Sequence, residues 1–271
     1  MTFHIRIAAA VLTTALTTGV AGASPIYFQG FETDTTDWSS NANRVPSGTG
    51  GITSADGDFH AESLGETAFH FFGAGSTAAS NATIPFTASL DFYLDTGGGW
   101  GNDTRFDYSV SLVKPDESFL RDFVFNVGFY DDDTGPGANS NRFVVSASNN
   151  AGRANSFPKN PGNNPTAIDT AGWYTFQHAF FDDGGTLGAA LSILESDGTL
   201  VNSWSLGTDP ITDVGGEGYG WIAQNEFSRL AYDNTSLTSD SVPIPAPGTL
   251  PLLGGGLVLM GLAGWRKRRI N

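Results

Sequence analysis

The sequence predicts an all-β fold, a two-sheet antiparallel sandwich of jelly-roll type, with a helical segment expected at each end. Three observations carry that reading. The composition holds 35 Gly and 20 Phe among many Thr, Ser, Asn and Asp, with few strong helix formers. Apolar residues recur with a period of two. Over 104–113, Phe106, Tyr108, Val110 and Leu112 share one face, and over 119–130, Phe123, Phe125, Val127 and Phe129 do the same. Polar, Gly-bearing clusters at 97–99, 131–135, 182–185 and 196–198 then separate the runs as turns.

The elements follow in order. The chain opens on a short start ending in Arg6, an apolar run over 7–20, and Ala21-Gly22-Ala23. A basic start, an apolar stretch and a small-residue A-x-A site make 1–23 a secretory signal peptide, cut by signal peptidase after Ala23. Residues 24–241 read as one acidic sandwich domain. Strand signals begin near Tyr27, and beyond the two long runs the candidates are 87–94, 142–147, 173–181, 187–194, 200–206 and 229–237. The stretch 149–169, rich in Asn, Pro and Gly, is too long for a hairpin and is expected as a surface loop. No amphipathic helix of useful length interrupts the strands.

The C-terminus has three parts. The alternating prolines of Val242-Pro243-Ile244-Pro245-Ala246-Pro247 force an extended segment. Residues 248–265 are uncharged and largely apolar, about 27 Å long as a helix, just enough to cross a hydrocarbon core. Arg266, Lys267, Arg268 and Arg269 then form a basic end that would hold the terminus in the cytoplasm.

This tail resembles the PEP-CTERM sorting signal of Gram-negative bacteria, in the variant written Val-Pro-Leu-Pro-Ala. Ile244 stands where the main family carries an acidic residue. The resemblance implies recognition by a membrane peptidase of the exosortase type, transient anchoring in the membrane by the tail, and a place in the cell envelope or in extracellular polysaccharide and biofilm. It covers about 30 residues and does not extend to the central domain.

Charge excludes one class of partner. All 28 Asp and Glu fall within 24–241 together with 8 of the 13 Lys and Arg, a net charge of −20. Such a domain repels nucleic acid and anionic lipid. There is no Cys, so neither a disulfide framework nor a thiol nucleophile is available.

The opening Gly30-Phe31-Glu32 with Trp38, and the closing Leu230-Ala-Tyr-Asp-Asn-Thr-Ser-Leu237, resemble the first and last strands of concanavalin-like and galactose-binding-like jelly rolls. That resemblance implies carbohydrate binding and a structural calcium ion shared by Glu32 and Asp233, the one cofactor expected.

Catalytic patterns are thin. Glu32-Thr-Asp34 begins like the carboxylate row of a glycan-cleaving strand, but Thr36 and Asp37 follow and the third carboxylate is missing. Asp91 and Asp95 share a strand face yet flank a turn, where they are expected to be solvated. None of His4, His60, His70 and His178 has a metal-ligand spacing, and His178 alternates with Tyr174, Phe176 and Phe180 as a core-facing or edge residue would. Asp131-Asp132-Asp133-Thr134-Gly135 imitates the start of a calcium loop, but the twelfth position is Arg142 instead of a bidentate Glu, so a solvated hairpin turn is expected.

Among the tryptophans, Trp100 sits in a Gly-rich loop that buries it poorly, and Tyr219 with Trp221 lies in Gly218-Tyr-Gly-Trp-Ile222. These three are the candidates for stacking on sugar rings, whereas Trp173 and Trp204 are expected in the core. The expected function is therefore a non-catalytic, polysaccharide-binding matrix protein. A structural or self-associating matrix protein without a ligand, and a polysaccharide hydrolase or lyase, stand as alternatives.

Overall fold

The computed structural model describes residues 25–72, 85–116, 118–149, 157–207, 209–215 and 218–238. The expected signal peptide with Ala21 and Ala23 lies outside the described residues. So does the expected tail with Val242, Pro243, Pro245, Ala246, Arg266, Lys267, Arg268 and Arg269. Among the described residues no helix is long and apolar enough to cross a membrane.

The described residues form strands β1 (Pro25–Gln29), β2 (Asn43–Pro46), β3 (Phe59–Ser63), β4 (Ala68–His70), β5 (Phe86–Leu94), β6 (Thr104–Val113) and β7 (Phe119–Tyr130). The second half adds β8 (Arg142–Asn149), β9 (Thr166–Ile168), β10 (Gly172–Asp183), β11 (Thr186–Glu195), β12 (Leu200–Leu206), β13 (Tyr219–Ala223) and β14 (Leu230–Thr238). They build two sheets. One has eight strands in the order β12-β11-β10-β5-β14-β3-β2, with β1 also on β14, and the other six, in the order β4-β13-β6-β7-β8-β9. The named pairings are antiparallel. The tightest hairpin joins β10 to β11 through Gly184 and Gly185, whose φ of 63° and 93° give the twist that a two-residue turn needs.

Alternation decides which face is buried. Phe86, Ala88, Leu90, Phe92 and Leu94 of β5 turn inward and meet the inward row of β6, namely Phe106, Tyr108, Val110 and Leu112. Phe92 is the hub, with ring centroids 5.0 Å from Phe106 and 5.2 Å from Phe176, and Phe176 is 4.9 Å from Phe125. Each such ring buried stabilises the fold by roughly 1.5–3 kcal/mol, which lets a chain without disulfides hold together. His178 joins this core, fully buried, with Nε2 3.0 Å from the Phe123 carbonyl oxygen.

The structure departs from the sequence expectation in its short elements. Strand β9 lies inside the stretch expected as one surface loop and pairs with β8 from Phe143↔Ile168 to Val145↔Thr166. Strands β2, β3, β4 and β13 were not anticipated. They are three to five residues long, too short for alternation to show.

Candidate functional site

The candidate site begins with a glycine. Gly220 of β13 stands opposite His70 of β4, and a Cβ at 220 would lie 1.8 Å from His70 Nε2. The absence of a side chain therefore lets the His70 ring pass beneath β13 into the core. There it packs 4.7 Å from Trp38, edge-on to Phe72 at 4.4 Å, and 3.4 Å from the Tyr108 hydroxyl. Burial lowers its pKa to about 3, so it is a neutral packing group at ordinary pH.

With that inner pair fixed, the pleat sends the neighbours outward. Phe69 lies directly across from Trp221, and their rings stack at 5.7 Å with planes 3° apart. Tyr219, two residues before Trp221, adds a third ring 6.2 Å from Phe69. All three are half-buried on the outer face of the six-stranded sheet. The indole N–H of Trp221 donates to Ser111 Oγ at 3.1 Å, and that hydroxyl donates to Asp122 Oδ1 at 2.5 Å. Burial raises the Asp122 pKa, and hydrogen bonds from Ser111 and Trp221 oppose that rise. This relay fixes the orientation of the Trp221 ring. The structure brings two of the expected stacking candidates, Tyr219 and Trp221, together with Phe69, which the sequence did not single out because it stands alone in a three-residue strand.

Trp100 is placed differently. Its indole N–H donates back to the Asp95 carbonyl at 2.9 Å, and its ring meets Phe227 edge-on at 5.1 Å, at the rim of a small cavity also lined by Ile52, Tyr93 and Arg229. It plugs the end of the sandwich and is not part of the Phe69–Trp221 ladder. Trp204 is buried as expected. Trp173 is not in the core: it is half-exposed on the outer face of the eight-stranded sheet. Parity explains the correction, because Tyr174, Phe176, His178 and Phe180 are the inward set of β10 and Trp173 is one residue out of phase.

Glu32 and Asp233 are both drawn to one loop, but to its amides. Glu32 Oε2 and Oε1 accept from Asp58 N at 3.0 Å and Phe59 N at 3.1 Å. Asp233 Oδ2 accepts from Ala55 N at 3.1 Å and Asp56 N at 3.4 Å, and Oδ1 accepts from Asn234 N at 2.8 Å. These oxygens face N–H dipoles whose positive ends would repel a cation, so the donor set as arranged does not fit a calcium ion. Among the described residues no three His, Asp or Glu side chains are grouped to hold a metal. Burial pushes the Asp233 pKa up to about 7, with Asp91 adding to the rise.

Asp91 is not solvated as expected. It lies across from Asp233, accepting from Thr175 Oγ1 at 2.5 Å and Asn234 Nδ2 at 3.0 Å. The facing carboxylates thus hold backbone and side chains in place, and their oxygens are engaged within the protein.

The Asp131–Gly135 turn lies in the β7–β8 hairpin connection with Asp131, Asp133 and Thr134 exposed, as expected, but it has a buried centre that the sequence did not show. Arg142, 0% exposed, fills its centre. Its Nε donates to the Pro136 carbonyl, Nη1 to the carbonyls of Tyr130, Asp132 and Ser140, and Nη2 to the Thr134 carbonyl and Asp132 Oδ1, at 2.6–3.3 Å. Lys159 Nζ binds Asp132 Oδ2 at 2.6 Å from outside.

No protein-family model and no curated protein matches this chain. Solved structures resemble it, among them these three. One is the CBM2 module of the evolved Dit of Lactobacillus casei BL23 phage J-1, with TM-score 0.42, 10% identity, and coverage of 80% of this chain and 96% of that one. Another is the metal-free lectin I-B4 from Griffonia simplicifolia, with TM-score 0.39, 10% identity and coverage of 78% and 97%. The third is the alginate lyase from Alteromonas sp. 272, with TM-score 0.24, 10% identity and coverage of 67% and 78%. With every score below 0.5, these likenesses say nothing of what this chain binds.

The site itself offers aromatic hydrocarbon, with Phe69 and Trp221 each covering one face of the other. Three rings on a rigid sheet can stack against the C–H faces of a pyranose, and the Ser111–Asp122 relay fixes the orientation of Trp221. Among the described residues the two core histidines are unsuited to proton transfer near neutrality, since burial lowers His178 as it does His70, each to about 3.

Proposed function

We propose that this protein is an exported, non-catalytic β-sandwich that binds polysaccharide through Phe69, Tyr219 and Trp221. The observation that carries the reading is the stacked Phe69–Trp221 pair, held half-exposed on a sheet and oriented by an internal hydrogen bond. A ring already fixed in its binding orientation loses little rotamer entropy when a sugar stacks on it. Export after Ala23 and exosortase processing of the 242–271 tail belong to the same proposal and rest on the sequence signals. In that setting the ligand is matrix or envelope polysaccharide.

Affinity electrophoresis of the full chain through gels containing a defined polysaccharide tests the binding. Trp221→Ala should weaken retardation about tenfold, equivalent to roughly 1.4 kcal/mol. Retardation unchanged in Trp221→Ala and in Phe69→Ala would refute this site.

A self-associating matrix role is favoured by a different observation. Phe28 and Ile26 of strand β1 are 56% and 45% exposed, and exposed apolar side chains on a strand that, among the described residues, pairs only with β14 invite a second copy. Sedimentation of wild type against Phe28→Ser decides that reading, which requires the wild type to associate and the variant to be monomeric.

A further inference from the structure

The eight-stranded sheet carries its own aromatic rings on the side facing away from the core. Trp173 of β10 and Tyr93 of β5 are directly opposite in register, meet edge to face at 5.4 Å, and are both half-exposed. The Trp173 indole N–H donates to the Thr53 carbonyl at 2.7 Å, and its ring lies 6.0 Å from His60, so this ring is also held in one orientation. Gln177 lies on the same outward face four residues further along β10, half-exposed, with its carboxamide unengaged by the described residues. Two ordered rings and an amide unengaged by the described residues offer apolar surface for a sugar ring, as on the first face, and a hydrogen-bonding group for its hydroxyls.

We propose that Tyr93, Trp173 and Gln177 form a second saccharide-binding platform, so that one molecule bridges two chains of an uncharged or amine-bearing polysaccharide. The inference rests on reading Phe69, Tyr219 and Trp221 as the first platform. Sheets in a sandwich pack about 10 Å apart, so rings on the two outer faces stand on the order of 20 Å apart and point in opposite directions. A single stiff saccharide chain cannot lie on both. Two chains can, one on each side, and the protein then acts as a cross-link.

Charge selects the ligand. Residues 24–241 carry 28 Asp and Glu against 8 Lys and Arg. Strand neighbours of the second platform include Asp91 and Thr175, and those of the first include Ser111 and Asp122. A uronate or sulfated chain meets repulsion at both faces, a neutral chain meets none, and an amine-bearing chain is attracted.

The test uses the full chain with three soluble polymers, hydroxyethyl cellulose, chitosan and alginate, read by gel retardation and by light scattering of dilute polymer. Wild type should retard on the first two and not on alginate, and should raise polymer scattering with a maximum at intermediate protein ratio. Trp173→Ala and Trp221→Ala should each keep part of the retardation and lose the scattering rise, and the double variant should lose both. Trp173→Phe, which keeps a ring without the Thr53 bond, should still cross-link. Tyr93→Ala, which leaves Trp173 tied to Thr53, guards against a folding defect and should weaken cross-linking alone.

The outcomes separate the two readings. If Trp221→Ala abolishes retardation while Trp173→Ala and Tyr93→Ala leave retardation and scattering at wild-type levels, the first platform stands and the second is overturned. If Trp173→Ala alone abolishes binding, the first platform falls and bridging falls with it. Tighter retardation on alginate than on hydroxyethyl cellulose overturns the assignment of ligand class.

Discussion

Two acid-rich loops of this molecule are closed by opposite charges. The 131–141 loop turns its carbonyl oxygens inward and wraps them around the Arg142 guanidinium. The 55–59 loop turns its amide N–H groups toward the carboxylates of Glu32 and Asp233. Both contain closely spaced aspartates; the first imitates a calcium loop in sequence, and the second receives the two carboxylates expected to share a calcium ion. The difference teaches that the backbone's direction, not the count of acidic side chains, decides which ion a loop holds. Where carbonyls converge, a cation belongs, and the chain supplies one covalently. Where amides converge, acceptor oxygens belong, and the chain supplies the carboxyl groups of Glu32 and Asp233.

The largest effect should come from removing the built-in cation. Arg142→Met leaves five carbonyl oxygens and Asp132 without their shared, fully buried donor, and should destabilise the fold by about 3–5 kcal/mol in denaturant unfolding. A loss below about 1 kcal/mol would show that the loop does not need its guanidinium.

The second effect is one of pH. The folded-state pKa of Asp233 is raised to about 7 from 3.8, so the folded protein keeps a proton that the unfolded chain has already released. Between those values the folded state binds more protons, and stability from this group falls as pH rises from about 4 to about 7, by up to 1.4 kcal/mol per pH unit. Asp233→Asn removes the titration. The stability of wild type relative to this variant should therefore decline across that window and level off above it. A flat difference would show that Asp233 does not hold its proton in the fold.

Lys159→Ala probes the outside of the Arg142 loop. Its ammonium is largely covered but pairs with an Asp132 carboxylate that is 28% exposed, so the loss should stay near or below about 1 kcal/mol and shrink in salt. The smallest effect expected is that of calcium itself. With Arg142 in one loop and amides around the carboxylates of the other, chelator and millimolar calcium should leave the melting temperature within about 1 °C. A calcium-dependent rise abolished by Asp233→Asn would mean that the 55–59 loop rearranges to accept the ion.

How much of this could be read from the sequence depended on length and phase. The bounds of β6, β7 and β12 matched the sequence expectation, because seven to twelve residues of alternation leave little freedom. Strand β13 gave no such signal. Five residues with a glycine in second place look like a turn until His70 is placed across from it. The Trp221 ring was recognisable as a candidate from its glycine-rich surroundings, whereas its partner Phe69 sits in a three-residue strand with no local mark. Trp173 was legible in principle, since its phase in β10 is opposite to that of Phe176 and His178 and places it outside. Arg142 could be seen to break a calcium pattern, but its position as the ion of its own loop is a property of the fold.

The glycine at 220 has a further consequence for how this surface can change over time. The alignment of β4 with β13 is secured from below, where His70 occupies the space that a Cβ at 220 would need. The rings at 69 and 219 lie on the other side of that fastening and contribute little to it. Exchanging Phe69 or Tyr219 for another aromatic, or for a polar residue, leaves the His70–Gly220 register and the core intact. The outer face is thus free to drift toward new ligands while the strand pairing that positions it stays under the stricter constraint of packing.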